Sequence, residues 1–207
     1  MGKIVVTAFV TLDGVIQAPG LQDEDRDGGF ELGGWTQPYA DPMVDQQTTE
    51  SVLSADALLL GRRTYQLFAG YWPGADPADP RTAKLNSQPK YVVSRTLRTA
   101  QWNNSTVLNG DDVVKQVLRL KERHNRISVW GSSGLIPVLL RETLIDEFVL
   151  LTYPIVVGGG KRLFSGDTPL GLRLTHSATS GSGVLMCSYR RAETVPFPER
   201  KTSAPIR

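Results

Sequence analysis

Cysteine is nearly absent from this chain: Cys187 stands alone among 207 residues. An internal disulfide is excluded, and its place in a strand-like run reads as a small buried core residue rather than a nucleophile. Histidine is almost as scarce. His124 and His176 lie far apart, His124 at an expected helix end and His176 in an expected strand, so no metal-ligand spacing exists and no metal is expected. Charge of one sign is lacking too, because 23 basic residues face 21 acidic ones. A net charge of +2 argues against a nucleic-acid or membrane-surface partner. No apolar run approaches the roughly 20 residues of a membrane span, and the N-terminus enters a strand pattern without signal-peptide architecture. The expectation is a cytoplasmic protein of ordinary globular composition, 40% apolar and 21% charged. At this length one large domain is expected, with two small ones as the alternative.

What the chain does have is two turns built to hold phosphate. Leu58-Leu59-Leu60 is an apolar strand-like run that stops at Gly61 and continues into Arg62, Arg63, Thr64 and Tyr65. Val129-Trp130 similarly runs into Gly131-Ser132-Ser133-Gly134 ahead of a helical Leu135-Ile136. Glycine admits a ligand close to the backbone, and the free N–H groups of the following helix attract an anion. The helix dipole contributes only about 0.3–1 kcal/mol, so the guanidiniums of the first turn carry more of the attraction. Arg62 and Arg63 could be merely solvated, but two cations at a helix N-terminus oppose its dipole, which favours a bound anion. Ser132 and Ser133 could be plain N-caps, which is compatible with a ligand.

The order of elements alternates. Lys3 to Leu12 is β-rich and ends in the turn residues Asp13-Gly14, followed by a Gly- and Asp-rich stretch from Ile16 to Pro38. A loop of that length is usually functional or mobile. Asp41-Pro42 opens a helix to about Leu53, Ala57 to Leu60 is a buried strand, and Thr64 to Phe68 begins a short helix. After a proline-rich loop from Tyr71 to Pro80 come a short helix at 81–85, a strand from Lys90 to Ser94 and another from Thr106 to Leu108. Asp111 is placed as the cap of a helix with Val113, Val114, Val117, Leu118 and the stem of Lys121 on one face. Strands follow at Ile127 to Trp130 and Glu147 to Val157, with a helix between them from Leu135 to Arg141. Leu172 to Thr179 and Val184 to Arg191 form a hairpin, and the tail from Glu193 is expected to be disordered. This pattern predicts an α/β domain over residues 1–192. Its sheet is mixed, mostly parallel and flanked by helices, with an antiparallel C-terminal hairpin. Ligands bind at the C-terminal strand ends of such sheets, where both glycine turns fall.

These motifs, in this order, resemble the dihydrofolate reductase superfamily. Thr11-Leu12-Asp13-Gly14 and the run Pro154-Ile155-Val156-Val157-Gly158-Gly159-Gly160-Lys161-Arg162-Leu163-Phe164 are more narrowly similar to the reductase domain of riboflavin biosynthesis (RibD C-terminal) and its stand-alone relatives. The resemblance implies a sheet of about eight strands, NADPH as cofactor, and hydride transfer to a C=N bond of a small heterocycle. A pyrimidine such as the phosphoribosylamino intermediate of riboflavin synthesis is the substrate it suggests. By position, Gly61, Arg62, Arg63 and Thr64 would meet the cofactor phosphates, and Ser94 and Arg95 would approach the 2′-phosphate. Gly131, Ser132, Ser133 and Gly134 would bracket the pyrophosphate and nicotinamide.

Asp13 is the candidate for polarising the acceptor or handling its proton, and the alternative is a simple tight turn. The first-helix carboxylate that dihydrofolate reductases use has no persuasive counterpart in Asp41 or Asp45. Trp35, Tyr71 and Trp72 could stack on a planar substrate or anchor their loops. Gly159 and Lys161 could take a substrate phosphate or form a bend. Relatives often form homodimers, and one is expected here. The competing readings are a non-catalytic NADP- or nucleotide-binding module and a true dihydrofolate reductase.

Overall fold

The computed structural model describes residues 1–109, 112–166 and 169–193. Eight strands are joined in one sheet: β1 (Lys3–Thr11), β2 (Ala57–Gly61), β3 (Lys90–Val93), β4 (Ser105–Leu108), β5 (Arg126–Trp130), β6 (Glu147–Tyr153), β7 (Leu172–Thr179) and β8 (Leu185–Arg191). Their spatial order is β4-β3-β2-β5-β1-β6-β8-β7. The pairings from β4 to β6 are parallel, and β8 and β7 complete the sheet antiparallel. The helices are α1 (Pro42–Leu53), α2 (Arg62–Tyr71), α3 (Pro80–Ser87), α4 (Val113–Arg123) and α5 (Ile136–Arg141).

Both faces of the sheet are covered, so its central strands are apolar throughout rather than alternating. Leu58, Leu59 and Leu60 of β2 are all fully buried, each contributing about 1.5–3 kcal/mol. Along β1, Ile4, Val6, Ala8 and Val10 pack with Val117 and Leu120 of α4 and Ile136 and Leu139 of α5. Val5, on the opposite face, packs with Val44 of α1, while Leu58 and Leu60 meet Tyr65 of α2 and Leu85 of α3.

Several boundaries move for identifiable reasons. The strand expected to run from Glu147 to Val157 ends at Tyr153 because Pro154 has no N–H for the ladder. Beyond it the Val157 and Gly158 amides turn to the Asp13 carboxylate instead of to a neighbouring strand. Helix α2 begins two residues before the expected Thr64, which puts Arg62 and Arg63 in its first turn. Asp41 caps α1 through the Met43 amide, as the Asp-Pro pair predicts. Asp111 lies outside the described residues, and Asp112 occupies the N-cap position of α4. The expected disordered tail likewise lies outside them from residue 194 onward. Cys187 is buried in β8, and His124 caps the C-terminal end of α4. No helix among the described residues is long and apolar enough to cross a membrane, and no His/Cys/Asp/Glu group among them has metal-site geometry.

Candidate active site

A cleft of about 1120 Å³ opens at the C-terminal ends of β1, β2, β3 and β5. One half is made by the two glycine turns. All ten residues expected at the cofactor, namely Gly61, Arg62, Arg63, Thr64, Ser94, Arg95, Gly131, Ser132, Ser133 and Gly134, line this cleft.

The two turns are locked together by one buried side chain. Ser132 Oγ accepts from the Gly61 amide at 2.9 Å and donates to the Trp130 carbonyl at 2.7 Å. The Ser132 amide in turn donates to Thr64 Oγ1 at 2.9 Å. Two consecutive left-handed residues, Gly131 at φ +49° and Ser132 at φ +58°, make this geometry possible. A Cβ at Gly131 would stand 3.0 Å from Thr64 Oγ1, so the close approach of the turns requires glycine there. Ser132→Ala should leave the Gly61 N–H without its partner and cost about 1–3 kcal/mol, read as a lower urea midpoint with unchanged m-value.

The residues present fit a phosphorylated cofactor. No side chain caps the first turn of α2, whose N-cap is Gly61, so its amides remain open to an anion. Arg62 and Arg95 are exposed and make no ion pair among the described residues. Arg63 differs: its guanidinium is 2.5 Å from Asp27 Oδ2 and 3.8 Å from Asp25. The hydrogen bond to Asp27 pushes the Arg63 pKa upward. Arg63 and Lys161 together hold the Asp27 carboxyl well below the usual carboxylate range. Ser94 is buried, and its Oγ accepts from the amides of Thr96 and Leu97. It shapes the turn that carries Arg95.

The other half is formed by the end of β1, Gln17 to Pro19, and the segment from Gly160 to Arg162. Phe9 and Trp130 give it an aromatic wall, with ring centroids 6.2 Å apart. Of the five residues expected at the substrate, only Lys161 lines the cleft. Gly159 is excluded from the lining, while its neighbour Gly160 belongs to it; a Cβ at Gly160 would meet Phe30 and Val15 at 2.9 Å. Trp35 is buried, donating its indole N–H to the Gln17 carbonyl and packing edge-on to Tyr153. It anchors the long loop against the end of β6. Tyr71 and Trp72 stand at the far end of α2, about 15 Å along its axis from Arg62. They pack edge to face with each other, and Arg81 lies over the Trp72 ring. Asp41 and Asp45 also stay outside the cleft, capping α1 and pairing with Arg81 respectively.

Asp13 does not line the cleft either. Its carboxylate accepts from Thr11 Oγ1 at 2.6 Å and from the amides of Gly158 and Val157 at 2.9 and 3.3 Å. The Thr11 hydrogen bond foremost, then those amides, lowers its pKa. Arg162 bonds to the Asp13 and Gly158 carbonyls. Asp13 therefore ties the turn after β1 to the segment that carries Lys161.

Sequence reasoning did not single out Gln17, Glu24, Asp25 and Asp27. Gln17 is buried, donating from Nε2 to the Asp25 and Asp27 carbonyls and accepting the Lys161 amide at Oε1. The visible signal was the acidic run Asp23-Glu24-Asp25-Arg26-Asp27 within a loop already marked as unusually long. Burial raises the pKa of Glu24, which accepts from the Gly20 and Leu21 amides.

Residues 2–186 match the RibD C-terminal domain family. The chain belongs to this family. It is 30% identical over 194 residues to the uncharacterised protein YyaP of Bacillus subtilis (strain 168), covering 90% of this chain and 94% of YyaP. Among solved structures it is similar to a protein of Shewanella sp. PV-4 assigned to riboflavin biosynthesis, at a TM-score of 0.69 and 22% identity. That alignment covers 92% of this chain and 99% of the other. A dihydrofolate reductase from Enterococcus faecalis complexed with NADP(H) has a TM-score of 0.59 at 13% identity, with 92% and 96% covered. The RibD-family fold expected from the motifs is thus the fold present, a dihydrofolate reductase-like mixed sheet of the type used by reductases.

Proposed function

We propose that this protein is an NADPH-dependent reductase that transfers hydride to a C=N bond of a small heterocycle. The observation that carries this reading is the glycine-turn half of the cleft. There an uncapped helix start, two interlocked left-handed turn residues and the guanidiniums of Arg62 and Arg95, unpaired among the described residues, converge on one wall. That donor set suits a ligand with several phosphates. When bound, the cofactor supplies the hydride; the protein supplies position and exclusion of water. Arg62 and the α2 amides hold phosphate, Arg95 approaches the 2′-phosphate, and Ser132 fixes the two turns at the spacing this requires. Phe9 and Trp130, their rings tilted 56° to each other, offer aromatic edges and faces against which a planar acceptor can pack. Asp13 acts as a positioning residue for the segment from 157 to 162, since its carboxylate is already engaged there.

Trp130 lines the cleft and so serves as an internal reporter. Titration with NADPH should quench tryptophan fluorescence, with NADH binding more weakly. Failure of both nucleotides to bind would sink the proposal. A binding module without catalysis would hold NADPH but leave its oxidation rate unchanged with every acceptor tried. A true dihydrofolate reductase would show tight competition by antifolates.

A further inference from the structure

The cleft is divided in charge, and the division bears on what the reductase proposed above reduces. Among the described residues five cations line it: Arg62, Arg63, Arg95, Lys161 and Arg162. On the glycine-turn side, Arg62 and Arg95 are unpaired among the described residues, while Arg63 reaches across to Asp27 and Asp25. On the opposite side both cations are taken. Lys161 Nζ lies 2.6 Å from Asp25 Oδ2 and 3.0 Å from Asp27 Oδ2. Arg162 is turned onto the Asp13 and Gly158 carbonyls, with Asp13 Oδ2 3.6 Å away. Glu24 adds a third carboxyl group to this side of the lining.

The pairing at Lys161 is built into the backbone rather than left to two mobile side chains. Gln17, only 3% exposed, fixes the Asp25 and Asp27 carbonyls with its amide nitrogen at 3.0 and 2.9 Å. The same side chain fixes the Lys161 amide at 2.9 Å with its oxygen. One buried residue thus holds the acidic turn and the lysine in mutual register. The Lys161 and Asp25 side chains are themselves about three-quarters buried, at 26% and 22% exposure, so solvent screens the pair less than a surface ion pair.

We propose that the hydride acceptor of this cleft carries no phosphate: Asp25 and Asp27 occupy Lys161, and phosphate recognition is confined to the half that holds the cofactor. A phosphate arriving at Lys161 would break two short charge-assisted bonds and then face the carboxylates it had displaced. A neutral or cationic planar acceptor meets no such opposition, and it finds Phe9 and Trp130 beside it. A cationic C=N group is favoured further, because it arrives already protonated. Hydride from the cofactor forms the new C–H bond, the π pair moves to nitrogen, and the product is a neutral amine with less attraction to the carboxylates. The substrate class is therefore a phosphate-free heterocycle, unlike the ribosyl-phosphate pyrimidine that the family resemblance suggests.

The test titrates inorganic phosphate calorimetrically into protein saturated with NADP+, for wild type, Lys161→Met and Asp25→Asn/Asp27→Asn. Wild type and Lys161→Met should be indistinguishable, with no phosphate site beyond the cofactor. The double variant should gain a phosphate site, at least tenfold tighter than any residual binding to wild type, that is abolished when Lys161→Met is added. Phosphate binding to saturated wild type that Lys161→Met removes would overturn the proposal. So would a folded double variant that gains nothing. If the double variant fails to fold, Asp25→Asn alone removes the 2.6 Å partner of Lys161 and should give a smaller gain that Lys161→Met again abolishes, and the absence of any gain overturns the proposal; Gln17 bonds to the main-chain oxygen there, so that contact survives the substitution. This inference rests on the reductase reading, and the two fail separately. If NADPH does not quench tryptophan fluorescence, the cofactor reading falls, while the difference between wild type and Lys161→Met in the empty protein still reports whether Lys161 can take phosphate.

Discussion

Replacing Arg62 and Arg95 together by alanine should weaken NADPH binding by about a hundredfold, roughly tenfold for each charge-assisted hydrogen bond to phosphate that is removed. NADH should lose substantially less, because it lacks the 2′-phosphate that the proposed function assigns to Arg95. The choice of pair follows from the ion-pair geometry. Arg63, adjacent in sequence and equally suggestive there, is 2.5 Å from Asp27, so its removal also frees a carboxylate and mixes two effects. Arg62 and Arg95 have no such partner among the described residues. Neither packs in the core, so the double variant should keep the wild-type urea midpoint within a few tenths of a kcal/mol. The loss should shrink as salt rises, as expected for exposed cations acting on phosphate. Equal losses for NADPH and NADH would remove the 2′-phosphate role and leave only a general anion wall.

The glycine turns were legible because their signal is local. A buried strand that ends in glycine before a helix start specifies its own geometry, and the eight residues read from those turns all line one cleft. The position of β5 between β2 and β1 was not legible, since apolar periodicity says which face is buried but not which strand is the neighbour. The loop aromatics illustrate a different limit. Trp35, Tyr71 and Trp72 carry the same sequence cue, yet each finds an apolar or cationic partner outside the cleft. A large ring in a loop satisfies its hydrophobic surface wherever packing offers one. Asp13 marks a third limit. Its turn was correctly placed, but the amides that claim its carboxylate come from residues more than 140 positions later. The acidic run from 23 to 27 was plain in composition, and only the fold shows that it faces Lys161.

Stability should rise with pH between about 8 and 9.5, on the order of 2 kcal/mol, and Lys90→Met should abolish that rise. Lys90 of β3 is fully buried, and burial pushes its ammonium down from 10.5 to about 8. In that interval the unfolded chain still binds the lysine proton while the folded chain releases it, so unfolding takes up protons and becomes less favourable as pH increases. Each pH step of one adds up to about 1.4 kcal/mol, and below pH 8 both states are protonated and the dependence vanishes. The cage around the ammonium works in the opposite direction. Nζ donates to the carbonyls of Gln88 and Asn103 at 2.8 Å and of Asn86 at 3.3 Å, and it lies 4.4 Å from the Trp102 ring centroid. These contacts favour the charged form, which makes the full slope an upper bound. Burial also raises the Tyr153 phenol far above its ordinary value, and above pH 10 that group contributes a slope of the opposite sign. The comparison therefore stops short of pH 10. Lys90→Met fills similar volume but leaves those carbonyls without a donor, so at pH 7 it should destabilise by about 1–3 kcal/mol. Paired urea titrations of wild type and Lys90→Met at several pH values separate the two effects: the offset reports the cage, and the change in slope reports the buried charge. Parallel curves would assign the wild-type pH dependence to other groups and leave Lys90 with the cage alone.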